Sequence, residues 1–237
     1  MPFPAQLRVE LSPRRIEVEL AAYLNRWYDQ AVRKRTFDLD PLAREALEHV
    51  ISRAFLAGKI TAAREIRSPW QIVGNDSQVI QNMAWTFERD FERIMQDLRV
   101  HMVINGLPTP RSRMLNRFSL LAQMLTRKAY NKGKASEFKR SLTMQASVYS
   151  AAQYKWGGWF IFLVHPELSK TGVCDDCAQF AGVMSEDYDD LIAQTFEPPI
   201  HLNCYCEIVG RPTVPIVESQ DRFKESWEQE QEAEQEA

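Results

Sequence analysis

Up to about residue 156, apolar residues recur every three to four positions, and that spacing predicts helices. After Ser12-Pro13, the residues Ile16, Leu20, Tyr23, Trp27 and Ala31 make one stripe. The serine hydroxyl can accept from a free backbone N–H there, and proline leaves no donor unpaired. Asp40-Pro41 repeats the start signal, and Leu42, Ala46, Val50, Ala54 and Phe55 mark a second helix that weakens at Gly58 and runs on to Ile66. Ser68-Pro69-Trp70 and Gly74-Asn75-Asp76 bracket a loop. A third helix places Val79, Ile80, Met83, Phe87, Phe91, Ile94, Met95 and Leu98 on one broad side, and Asn105-Gly106, Pro108 and Pro110 end it. Two further helices are expected over about 111–131 and 135–155, jointed at Gly133.

The pattern changes at Gly157-Gly158. The run from Trp159 to Val164 is short, aromatic and β-branched, which predicts a buried strand closed by His165-Pro166. A turn-rich stretch follows, then Ile208-Val209, Pro212 and Pro215. The tail from Val217 to Ala237 ends in Glu-Gln alternation with almost no apolar content, so it is expected to be disordered, or helical only when docked. No internal repeat is visible.

Composition narrows the class. With 45% hydrophobic residues the chain has enough apolar surface for at least one core. Its longest uncharged apolar run, Trp156 to Val164, is about half the roughly eighteen residues a membrane helix needs. The first residues lack a basic stretch leading into an apolar one, so no secretory signal is expected and the setting is read as a cytoplasm.

The net charge of −3 hides an uneven distribution. From Arg99 to Lys155 there are eleven Lys or Arg and one acid, Glu137, a net of +10. From Val217 to Ala237 there are eight acids against Arg222 and Lys224, a net of −6. In the middle, Arg111, Arg113, Arg117, Arg127, Lys128, Lys132, Lys134, Lys139 and Arg140 could track a phosphate backbone, with Tyr130 and Phe138 interleaved. Equally, they could be the wet faces of helices or dock on an acidic neighbour.

All four cysteines lie close together, as Cys174-Asp175-Asp176-Cys177 and His201-Leu202-Asn203-Cys204-Tyr205-Cys206. In a chain without an export signal, such pairs more often hold metal than form disulfides. A C-x-x-C turn points two thiolates at one ion, and a second short cluster completes a tetrahedron of the kind Zn²⁺ takes. Five residues compete for four positions: Cys174, Cys177, His201, Cys204 and Cys206. Either His201 binds and one thiol is spare, or all four thiols bind and His201 stands behind them. A site filled by protein ligands is structural rather than catalytic.

Other groups carry less. His165 reads as a turn residue or an extra ligand, and His49 and His101 as ordinary helix residues. Asp175, Asp176, Glu186, Asp187, Asp189 and Asp190 read as a solvated acidic loop, since no phosphate loop or nucleophile motif accompanies them. No G-x-S-x-G, H-E-x-x-H, Walker or dinucleotide fingerprint is present, so an enzyme is not expected. Trp27, Tyr28, Trp70 and Trp85 are either core or interface anchors. The fold class expected is mainly α: an elongated helical body over 1–156, a small zinc-stapled α+β module over 157–216, and an acidic tail over 217–237.

The segment from Cys174 to Cys206 resembles the C-terminal part of the tailed-phage head morphogenesis proteins, the Mu F-like minor head proteins. The residues that carry the resemblance are Cys174-x-x-Cys177, Phe180-Ala181-Gly182-Val183, and Pro198-Pro199-Ile200-His201-x-Asn203-Cys204-x-Cys206. The family pattern ends P-P-x-H-P-N-C-R-C; here Leu202 stands in place of the proline between His and Asn, and Tyr205 in place of the arginine. Upstream, Thr126-Arg127-Lys128-Ala129-Tyr130-Asn131 matches the family's helical region more loosely.

The resemblance implies a structural protein of the virion near the portal vertex, made in the host cytoplasm, acting in head assembly or in head–tail connection and DNA passage. It implies contact with the portal protein or other head and neck proteins, in a homo-oligomeric ring or in several copies on a ring, with non-specific DNA contact as an option and no membrane. The rival classes are a zinc-containing non-specific nucleic-acid-binding protein and a metal-dependent enzyme.

Overall fold

The computed structural model describes residues 13–34, 41–68, 72, 76–106, 110–148, 157–165, 174–198, 204 and 206–212. Among these the chain is mainly helical, with one small sheet. Four long helices come first: α1 (Pro13–Lys34), α2 (Pro41–Glu65), α3 (Ser77–Asn105) and α4 (Arg111–Val148). They are followed by β1 (Gly158–Leu163), α5 (Asp175–Ala178), β2 (Met184–Ser185), α6 (Tyr188–Gln194) and β3 (Glu207–Pro212). The acidic tail, Trp70 and His201 lie outside the described residues.

Both proline start signals hold, since α1 begins at Pro13 and α2 at Pro41. The stop at Asn105-Gly106 holds too: the Gly106 N–H donates to the Met102 carbonyl at 2.9 Å. Of the expected α1 stripe Ile16, Leu20 and Ala31 are buried, but between them the inward row shifts by one residue. Ile16, Leu20, Leu24, Tyr28 and Ala31 face inward, while Tyr23 and Trp27 pack at the edge. The sequence offers an apolar residue at both 23 and 24 and at both 27 and 28, so packing chooses the row. Tyr28 meets Phe118 edge-on at 5.9 Å, and Phe118 stacks on Phe91 at 6.0 Å. Trp27 meets Phe91 edge-on at 4.8 Å. Each such aromatic pair adds about 0.5–1.5 kcal/mol beyond area burial.

The two helices expected on either side of Gly133 are one continuous helix of 38 residues. Gly133 is no joint, whereas α2 runs on past Gly58 as expected. Each glycine instead lets α2 and α4 cross almost backbone to backbone. A Cβ on Gly133 would fall on the Phe55 carbonyl oxygen. A Cβ on Gly58 would fall on the Tyr130 carbonyl oxygen and 2.9 Å from the Lys134 nitrogen.

The predicted strand forms as β1, within one residue at each end. It is the centre of an antiparallel sheet of order β2-β1-β3, with Phe160 opposite both Ser185 and Gly210 and Phe162 opposite Ile208. Three short strands need a partner surface to be stable. Here Phe160, Phe162 and Ile208 share a core with Ile66, just past α2, and with Ala135 and Phe138 in the second half of α4. The Phe138 ring lies flat against Gly158 and Gly210, where any Cβ would collide with it. The sheet's core is therefore built jointly with the helices.

Replacing Gly133 with Ala tests the crossing. Alanine is favoured in a helix interior by about 1 kcal/mol, so a loose crossing would make the variant more stable. We expect a net loss of about 1–3 kcal/mol from overpacking, read by urea denaturation.

Candidate metal centre

The C-x-x-C forms a single helical turn. Cys174 stands at the N-cap of α5, and its carbonyl accepts from the N–H groups of Cys177 (3.0 Å) and Ala178 (2.9 Å). That turn puts both thiols on one side, and the Cys174 thiol hydrogen-bonds with that of Cys177. The chain then reverses through Gly182, whose φ of 79° is a conformation that favours glycine. Gly182 donates to the Phe162 carbonyl and Phe162 donates to Val183, both at 2.9 Å, which ties the turn to β1. The Phe-Ala-Gly-Val segment thus positions the first cysteine pair against the sheet.

The second pair arrives from the other side, just before β3. The sulfurs of Cys177, Cys204 and Cys206 all lie within 4.8 Å of one another, and all three residues are buried. Cys177 and Cys204 are 3.8 Å apart and not disulfide-bonded. Crowded, desolvated thiols resist ionisation. Burial is the main cause that pushes the Cys177 thiol up to about 12. Hydrogen bonding with Cys204, then burial, holds Cys206 well above the ordinary thiol range. A positive ion at the centre reverses this balance, because coordination deprotonates a thiol outright. Three converging sulfurs fit a metal ion of borderline or soft character.

Of the five residues expected at the site, three form the tight group and Cys174 touches it through Cys177. His165 does not join it; its Nε2 meets Glu207 Oε1 at 2.9 Å, linking the end of β1 to β3. His49 is exposed and His101 half-buried, each on its helix. Among the described residues the acidic loop does not gather into a ligand group. Asp187 caps α6, accepting from the N–H of Asp189 at 2.7 Å, and meets Lys139 at 2.9 Å. The Lys139 contact, helped by the two cap bonds, holds its carboxyl below the usual range. Tyr28 is core, and Trp85 stays 64% exposed beneath the Arg89 guanidinium.

Sequence reasoning missed the polar row on α4 that grips the cysteine segment. Gln123 donates to the Cys204 carbonyl at 3.3 Å, and the Arg127 guanidinium donates to the same oxygen. Asn131 donates to the Pro198 carbonyl at 3.2 Å. Lys134, only 2% exposed, stands 3.0 Å from both Glu65 and Glu207. Burial alone lowers the pKa of this ammonium, but the two carboxylates outweigh it and hold the pKa above the ordinary lysine value. The legible signal was spacing: 123, 127, 131 and 134 follow one helix face.

The same contacts account for most of the basic middle. Arg111 pairs with Asp29, Arg117 with Asp97, Arg127 with Glu17, and Lys128 with Glu197. Lys134, Lys139 and Arg140 pair with Glu207, Asp187 and Glu137. Seven of the nine basic residues singled out thus meet a carboxylate within the chain. Between α3 and α4 lies a groove of about 510 Å³ floored by Met83, Phe87, Leu121 and Met124. Among the described residues no helix is long and apolar enough to cross a membrane.

Compared with protein-family models, curated proteins and solved structures, the chain matches none of them.

A divalent metal ion entering this centre must displace protons. At pH 7 we expect Zn²⁺ added to metal-free protein to release at least two protons per ion in a weakly buffered titration. Affinity should rise with pH, because the thiols are held protonated without the ion. Uptake with no proton release would place the ion elsewhere.

Proposed function

We propose that the chain is a structural minor head protein of a tailed phage, and that its cysteine centre holds one structural Zn²⁺. It works near the portal vertex, in head assembly or in head–tail connection and DNA passage, against the portal protein or other head and neck proteins. The observation that carries this reading is the convergence of Cys177, Cys204 and Cys206 in one buried cluster. The motif that resembles the Mu F-like minor head proteins contains these cysteines, and the segment is folded against a long helix in a way a structural ion would lock. Zinc accepts three thiolates with Cys174 or His201 as the fourth ligand. A centre closed by four protein ligands holds a fold together and leaves no position for a substrate, so the protein is read as a non-enzyme.

The rival reading is a zinc-containing protein that binds nucleic acid non-specifically. It is less favoured because seven of the basic residues that would carry it already face carboxylates. A phosphate competing for those cations must displace the internal partner first. The large helical surface suits contact with neighbouring subunits, in a ring or in several copies on one.

Quantitative peptide mass spectrometry on purified particles of the phage that encodes the chain tests the assignment. A fixed copy number on the order of ten per particle is expected of a cyclic vertex assembly. Absence from particles and from assembling heads, together with tight DNA binding that falls steeply with salt, would replace this reading with the rival.

A further inference from the structure

We propose that Arg127, beside Gln123 on the same carbonyl, is a positioning residue for the cysteine centre and couples metal affinity to the packing of α1 on α4. The inference rests on the metal reading of the three thiols.

The three cysteines are held in place differently. Cys177 sits on a helical turn tied to β1. Cys206 directly precedes Glu207, which is paired with Leu163 in the sheet. Cys204 stands two residues further back, outside the strand. Its carbonyl is held from α4 by two side chains, Gln123 and Arg127. The preceding end of the same loop is held at the Pro198 carbonyl by Asn131, so α4 grips the loop at both ends. Where Cys204 Sγ stands relative to Cys177 Sγ depends on that grip.

Arg127 reaches in two directions at once. Its Nη1 serves the Cys204 carbonyl, and its Nε meets Glu17 Oε1 of α1 at 2.7 Å. Both side chains are largely buried, at 16% and 14% exposure, so the contact is only partly screened by water. A planar guanidinium can hold both partners in fixed directions; a lysine ammonium is a single point charge. By linkage, whatever the ion gains from a pre-set Cys204, the α1–α4 contact gains from the ion.

The test uses the full chain. Zn²⁺ affinity is measured by competition with a chromogenic chelator for the unaltered protein, Arg127→Met, Arg127→Lys and Arg117→Met. Arg127→Met is expected to weaken binding about 10–100-fold, the range seen when a group supporting a metal ligand is lost. Arg127→Lys should recover only part of this, and Arg117→Met, which breaks the α3–α4 pair with Asp97, should leave affinity unchanged. In hydrogen exchange, Zn²⁺ should slow α1 in the unaltered protein and not in Arg127→Met. Equal affinity in Arg127→Met and the unaltered protein would overturn the coupling while leaving the metal reading intact. No Zn²⁺ uptake by the unaltered protein would instead overturn the metal reading itself. Should Arg127→Met not fold, Glu17→Gln replaces it: weaker Zn²⁺ binding supports the coupling, and unchanged binding with zinc-insensitive α1 exchange overturns it.

Discussion

The crossing of α2 over α4 at Gly58 and Gly133 sets the frame for the rest of the structure. With no Cβ on either side, the two backbones meet nearly in van der Waals contact. That closeness sets Phe55 of α2 against Gly133 and Tyr130 and Lys134 of α4 against Gly58, and it aims the end of α2 at the sheet, where Ile66 enters the second core. A wider crossing would separate Glu65 from Lys134, and with it one of the two carboxylates that keep a buried ammonium charged. Burying a charge is tolerable only with such partners, so the crossing and the ion network depend on each other.

Helix α4 belongs to both cores. Its first half carries Met114, Phe118 and Leu121 into the aromatic cluster with α1 and α3. Its second half seats the sheet through Ala135 and Phe138. Between these apolar contacts, Gln123, Arg127, Asn131 and Lys134 hold the cysteine segment by its backbone carbonyls and by Glu207. The sheet therefore packs directly on the second half of α4.

The basic stretch looks like a binding surface in one dimension and like an internal scaffold in three. Its charges are matched by acids far away in sequence, such as Asp29, Glu17 and Glu207, which a window count cannot see. Pairs exposed to water, including Arg111 with Asp29, contribute little to stability. The buried ones matter for specificity of packing, since each would leave an uncompensated charge if misplaced.

Much of the helical fold was legible in the residues themselves. Proline at a first turn and glycine after the last mark helix ends through local hydrogen-bonding needs, and the alternation along β1 sends Phe160 and Phe162 into a core while Trp159 stays exposed. The cysteines could likewise be grouped from spacing alone, because a C-x-x-C closes a turn whatever surrounds it. What depends on distant neighbours was not legible. Whether Tyr23 or Leu24 faces inward, whether Gly133 bends a helix or admits another, and whether Arg127 meets phosphate or a cysteine's carbonyl are all decided by packing. Local sequence determines which backbone conformations and hydrogen-bonding groups are available, and only the tertiary structure decides which of them end up side by side.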